Sequence, residues 1–461
     1  MTDTRRAPPA EPAAQIPAQR WDAASLKLAF MGLAGASIEW YDFFLYAAAA
    51  ALVFPHVFFP ASLPPYVALV ASFSTYAVGF VARPLGAMLF GHTGDRLGRK
   101  RALAAALIVM GGASTLIGLL PPYSAIGVFA PLSLVLLRFV QGLAVGGQWG
   151  GAILLATENA PQSKRGLYGS IVQTSVPVGV ILANVALLAA NGATSAAGFM
   201  QYGWRIPFLF SLGLIGLGFY IHFRVDDTAA YRRLREAAAA QDSDAAGRRR
   251  SPIFEALRSH PKLILIAAGA YMSTNLTFYI LLTYLVAYAT SPGIHVPRGT
   301  MLTAELIATA AAAPVTFLAG RLSDRHGRRR VFMCGVGLMG LWSFALFPLI
   351  DTGYLPWITA AIFVGACLNS LAYGPLAAMF TEYFGTRVRY SGASLTYQIS
   401  AILGGGLAPI VATLIYAAHH STLGVSIYMA AICALSLACA TQLKETRAID
   451  LNGEPGVAAA G

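Results

Sequence analysis

Long apolar runs recur from one end of the chain to the other, separated by short polar stretches rich in arginine and glycine. Each run is about 20 residues or slightly longer, the length a helix needs to cross the hydrocarbon of a bilayer. Read from the pattern, the spans fall at roughly 27–54, 65–90, 102–122, 126–157, 167–190, 204–222, 262–290, 299–320, 331–350, 355–381, 390–418 and 422–442. The short alternating strands of an outer-membrane barrel are absent. The prediction is an all-α integral membrane protein with twelve transmembrane helices.

The polar stretches are not equivalent. Counted from the N-terminus, every second connection is basic, and these connections with the two tails hold 28 of the 32 lysines and arginines. The rest are Arg83, Arg138, Arg205 and Arg298. Positive charge gathers on the cytoplasmic side of membrane proteins. The alternation therefore predicts cytoplasmic termini, and one missed span would scramble it. It also accounts for the net charge of +12 without nucleic acid as a partner. The expected location is a multi-pass bacterial inner membrane, with the lipid bilayer as its surroundings.

Only 11% of residues are charged and 57% are hydrophobic, against about a quarter charged in soluble domains. The four cysteines (334, 367, 433 and 439) all fall in spans without a CxxC pair, and are read as small buried apolar residues rather than metal ligands. The Pro/Ala-rich N-terminus lacks an apolar core and is read as a disordered tail, not a signal peptide.

Two stretches match. GHTGDRLGRKR starts at Gly91 and GRLSDRHGRRR at Gly320, six spans apart. A second echo pairs ENAPQSKR (158–165) with EYFGTRVR (382–389), again six spans apart. Two motifs in one half-to-half relation point to an internal repeat. The expected organisation is a tail (1–26), a six-helix half (27–222), a cytoplasmic linker (223–261), a second six-helix half (262–442) and a cytoplasmic tail (443–461). The doubled G-x-x-x-D-R-x-G-R-[KR]-[KR] loop resembles the major facilitator superfamily. IEWYDFFLY (38–46), the extended first loop, RFVQGLAVGGQWGGAILLATENAP and YGPLAAMFTEYFGTRVRYSGAS resemble its metabolite:proton symporter branch. That branch includes shikimate, α-ketoglutarate, citrate and proline/betaine permeases, and the shikimate-permease-like members look most similar.

Ionised groups inside a membrane face a partner or a cavity. Glu39 and Asp42 lie one turn apart and share a helix face with Tyr46. Arg138, in span four, is the obvious partner, and Gln141 and Gln148 extend its face. Spans one and four belong to the same half, so a pair from Arg138 to Asp42 or Glu39 is feasible. Two carboxylates beside an arginine can exchange a proton when the arginine is drawn away. The other reading is a static buried pair that fixes helix packing. The resemblance implies that Asp42 carries the coupling proton. Arg83 is expected to snorkel to the interface or serve the gate.

The doubled loops are expected to form a cytoplasmic gate. Asp95 and Asp324 sit beside turn-forming glycines, and Arg99, Arg165, Arg328 and Arg389 offer paired donors to Glu158 and Glu382. Polar residues at helical spacing outline a substrate cavity: Gln173 in span five, Tyr271, Asn275 and Tyr279 in span seven, Asn369 and Tyr373 in span ten, Tyr397 and Gln398 in span eleven, with Asn184 also polar in span five. The branch pattern has Glu where Gln148 stands, and Arg and Glu where Tyr271 and Thr274 stand; Glu305 is an added acid in span eight.

The leading reading is a monomeric proton-coupled symporter importing a small polar metabolite, an organic acid, by alternating access. It needs no cofactor beyond the coupling proton. A zwitterionic osmolyte such as a betaine, or a membrane sensor that binds without transporting, stays open. Enzymatic function is not expected, since no nucleophile–base pair, metal cluster or ATP-binding loop stands out.

Overall fold

The computed structural model describes residues 23–97, 99–146, 162–213, 257–384 and 389–447, with the single positions 153, 157, 160, 215, 216, 219 and 449. Most of the tail 1–26, residues 223–256 of the expected linker and most of 443–461 lie outside them. The described residues are helical and contain no strand. In the first half the helices are α1 (Ala23–Leu52), α2 (Pro65–Leu97), α3 (Arg99–Leu119), α4 (Phe129–Val145), α5 (Gln162–Ala193) and α6 (Arg205–Leu209). In the second they are α7 (Pro261–Ala289), α8 (Arg298–His326), α9 (Arg328–Asp351), α10 (Leu355–Tyr383), α11 (Arg389–Ser400 continuing as Ala408–His419) and α12 (Thr422–Gln442). Eight of these are long and apolar enough to cross a membrane, and α3 and α4 contribute shorter apolar stretches.

The helices are apolar all round because they are solvated by lipid outside and by each other inside. Their ends are set by local chemistry. Pro65, Pro261 and Pro356 lie in the first turns of α2, α7 and α10, where a missing N–H is harmless. Gly327, at φ 101°, makes the tight turn from α8 to α9, a conformation that excludes most side chains.

The packing itself repeats. In the first half α1 lies on α5, α2 on α4, and α3 on α4 and α6; six helices later α7 lies on α11, α8 on α10, and α9 on α10 and α12. The halves meet along α5 with α8 and α10, α2 with α11, and α1 with α7. Two of those contacts exchange partners under the six-helix offset: α2 on α11 becomes α8 on α5. Below, the end of the bundle with the two arginine-rich loops is called the basic end. Three helices carry π-helical turns: Phe199–Gly203 just before α6, Ile280–Tyr284 in α7 and Ala401–Gly406 in α11. Such turns shift the face a helix presents and are frequent at functional sites; here two of them flank the space between the halves.

Candidate substrate pocket, charged core and gate

In the first half, Asp42 is completely buried in α1. It does not meet Arg138 directly. One carboxylate oxygen accepts the Ser211 hydroxyl, and the other accepts the Ser114 hydroxyl at 2.7 Å. Ser114 in turn accepts the Gln141 amide at 2.7 Å, and the Gln141 carbonyl accepts Arg138 Nη1 at 3.1 Å. For Asp42, the direct ion pair is thus replaced by a four-residue relay across α1, α3 and α4, while the alternative through Glu39 lies outside the described side chains. The correction has a geometric reason: Arg138 is held elsewhere, over three aromatic rings. Its guanidinium carbon lies 4.2 Å from the Tyr46 ring centre, 4.4 Å from Phe43 and 4.7 Å from Tyr76. Gly79 makes this fit, because a Cβ there would lie 2.6 Å from Arg138 Nε.

Arg83 departs from expectation too. It neither snorkels nor reaches the gate: it is 1% exposed, 4.3 Å above the opposite side of the same cluster on Phe43 and 4.6 Å from Phe80. Phe43 therefore touches both buried guanidiniums. Desolvated cation–π contacts are worth roughly 2 kcal/mol each, which offsets part of the cost of burying the charge. Nε and Nη2 of both arginines lack a hydrogen-bond partner among the described residues. Among the described residues, four strong donors are thus without an acceptor.

A pocket lies in the second half, against α1 and α5, with about 820 Å³ of space not filled by atoms, the solvent at its mouth included. Tyr271, Asn275 and Tyr279 of α7, Asn369 and Tyr373 of α10, and Tyr397 of α11 all line it, as their helical spacing predicts. Tyr271 packs 5.6 Å from Tyr397 and 6.4 Å from Tyr373 between ring centres. Asn275 Nδ2 donates to Ser400 at 2.8 Å. The pocket also includes Trp40, Phe278, Glu305 and Thr316. Glu305 is 2% exposed, its Oε2 has no hydrogen-bond partner among the described residues, and the Asn184 amide of α5 is its polar neighbour. Among the described residues, no lysine, arginine or histidine lines the pocket. An aromatic wall, with Tyr279 5.1 Å from Phe80 and 6.3 Å from Phe43, separates it from the two arginines.

The remaining predicted substrate residues lie elsewhere. Tyr46, Arg138 and Gln141 belong to the charged core. Gln173 donates to the Tyr373 carbonyl at 2.7 Å and so ties α5 to α10. Gln398 is buried beside the pocket but does not line it, because the position next to Tyr397 points about 100° round the helix. The side chains of Glu39, Asp95 and Arg99, and all of Gln148 and Glu158, fall outside the described residues.

At the basic end, Asp324 joins the halves. Its two oxygens accept the backbone N–H groups of Gly166 and Leu167 at 2.9 Å each, capping α5 from α8, while it also pairs with Arg328. The helix backbones touch here: a Cβ on Gly166 would lie 2.5 Å from the Gly320 carbonyl oxygen. Arg328 bonds Glu382 at 3.4 and 3.5 Å, and Thr446 donates to Glu382 at 2.6 Å. Arg165 and Arg389 also donate to the backbone carbonyls of Ile449 and Phe384. The segment after α12 adds further bonds. Glu445 accepts the first amides of α9, from Arg328 at 2.8 Å and Arg329 at 3.1 Å, and Arg447 donates to the Arg325 carbonyl at 2.6 Å.

Residues 28–453 match the family described as Sugar (and other) transporter. The chain is 38% identical to the inner membrane metabolite transport protein YhjE of Escherichia coli K12 over 425 residues, covering 91% of this chain and 94% of that protein. It is 38% identical to the shikimate transporter of the same organism over 426 residues, covering 91% and 95%. Its fold matches a partially occluded, inward-open structure of the xylose transporter XylE from E. coli, with a TM-score of 0.69 at 16% identity, covering 92% and 99%. The relay, the pocket and the Asp324 cap are therefore parts of a transport protein rather than an enzyme: the chain belongs to the sugar-transporter family of the major facilitator superfamily.

Proposed function

We propose that this chain is a proton-coupled symporter that imports a small hydroxylated organic acid through the inner membrane, with both termini in the cytoplasm. The observation that carries the reading is the relay from Asp42 to Arg138. It joins a proton acceptor to a cation with unfilled donors in the otherwise apolar core of one half. Proton uptake on Asp42 removes its pull on the Ser114–Gln141 chain and frees Arg138 to move toward a substrate anion. Release of the proton restores the relay. The cation is then alternately committed to the protein and to the substrate, which gives each conformation its own charge balance. Similarity to the shikimate transporter across nine-tenths of both chains supports a hydroxylated carboxylate as cargo. The phenol, amide and hydroxyl groups of the pocket suit its hydroxyls. The Asp324 cap on α5 would hold the cytoplasmic side shut while the outer side is open.

A second reading has its own observation. A pocket with a free carboxylate, aromatic walls and no lining cation fits a zwitterion with a positive nitrogen, such as a betaine. Uptake into proteoliposomes across an imposed pH gradient tests both. Shikimate accumulation that collapses with a protonophore supports the first; accumulation of glycine betaine alone selects the second. Binding without uptake of either overturns both.

A further inference from the structure

The first-half relay leaves Glu305 unused. It stands in the opposite half, in the wall of the pocket, buried and with an unpartnered oxygen. Among the described residues, the groups that face it offer no compensating charge. From α5 there is the neutral Asn184 amide, its polar neighbour, whose Nδ2 makes no hydrogen bond of good geometry to a described residue. From α7, α10 and α11 come tyrosines and asparagines of the pocket, and from α1 the Trp40 ring. On its own helix the nearest cation is Arg298, two turns away, whose guanidinium lies 4.4 Å over Phe199. An ionised carboxylate in such a place is cut off from most water and has no counter-ion among the described residues, whereas a protonated one donates to a neighbour and carries no charge.

We propose that Glu305 is a proton-binding site inside the substrate pocket, distinct from Asp42, and that an organic anion enters the pocket only when Glu305 holds a proton. The inference rests on the symport reading above. A substrate carboxylate about 6 Å from an ionised Glu305 would meet a repulsion that weakens binding about a hundredfold at an effective dielectric near 20. The proton, drawn from the water on the side to which the pocket opens, removes that repulsion and adds a donor. Proton and anion are thus bound as a neutral pair at one site. The Asn184 amide comes from the other half, so the protonation state of Glu305 is also sensed across the interface that opens and closes.

Infrared difference spectra of the purified full-length protein, recorded while pH is stepped from acid to alkaline, test the site without any ligand. A protonated-carboxyl C=O band that titrates in the wild type should vanish in Glu305→Gln and persist in Asp42→Asn. An unchanged set of bands in Glu305→Gln overturns the proposal. If that variant does not fold, Glu305→Asp, which should move the band rather than remove it, decides in the same way. Shikimate is then the binding probe, by calorimetry. The Glu305 contribution should raise the wild-type Kd by up to tenfold for each pH unit above its titration midpoint, and the slope should fall by that contribution in Glu305→Gln while the contribution remains in Asp42→Asn. An equal slope in Glu305→Gln overturns the proposal. Absence of shikimate binding at every pH overturns the organic-acid reading instead, and the infrared titration still decides Glu305.

Discussion

The two halves share a packing plan and divide the chemistry. In the first half the buried ionisable groups are wired to one another: Asp42 through two serines and a glutamine, Arg138 and Arg83 over rings. In the second half the polar groups face an open space, and one of them, Glu305, is left without a partner on Oε2. The place in α7 that corresponds to Asp42 in the six-helix repeat holds Tyr271 and no charge. A repeated scaffold keeps the contacts that open and close the bundle. It leaves each half free to specialise, since a side chain inside one half touches little in the other.

That division can be broken experimentally. The largest effect is expected from Asp42→Asn, which should abolish pH-driven accumulation while leaving counterflow exchange of substrate measurable in proteoliposomes. Accumulation at the wild-type level would remove Asp42 from the coupling path. Next, Arg138→Lys keeps the charge but loses the planar contacts with Tyr46, Phe43 and Tyr76. A loss of about 2 kcal/mol, or roughly thirtyfold in uptake rate, is expected, and an unaffected rate would show that the charge alone suffices.

Asp324→Ala removes the cap on α5 and the partner of Arg328, each worth about 1 kcal/mol. It should lower uptake by up to about thirtyfold and speed labelling of Ala377→Cys by an impermeant maleimide added from the basic end. The smallest effect is expected in the pocket. Tyr271→Phe deletes one hydroxyl, worth about 1 kcal/mol, and should raise KM about fivefold with maximal rate unchanged. Gln398→Ala, beside the pocket, should leave KM alone. An equal rise in both would dissolve the distinction between lining and backing residues.

The spans and their alternation were readable because hydropathy and arginine placement are imposed by the bilayer and act on every helix separately. The α7 stripe of Tyr271, Asn275 and Tyr279 was readable for a similar reason: it depends only on spacing along one helix. Ser114 and Ser211 were not. A serine in an apolar span carries no sign of whether it bonds its own helix or, as here, a carboxylate on another. The same limit hid the fate of Arg138. Its charge called for an acid, but the aromatic residues that hold it come from α1 and α2, and their rings read as ordinary core. Trp40 was missed because it projects two positions before Asp42, away from the charged face, and so into the pocket.

The segment after α12 bears on how this protein can be handled. Leu443 to Ile449 is stitched to α8, α9 and α10, and to Arg165 at the start of α5. A truncation or fusion joined at the end of the last apolar run would strip Glu445 from the first amides of α9 and Thr446 from Glu382. A reporter or purification tag placed after Ile449 spares those bonds. The boundary drawn from hydropathy is where the membrane ends, and the protein's working length continues seven residues past it.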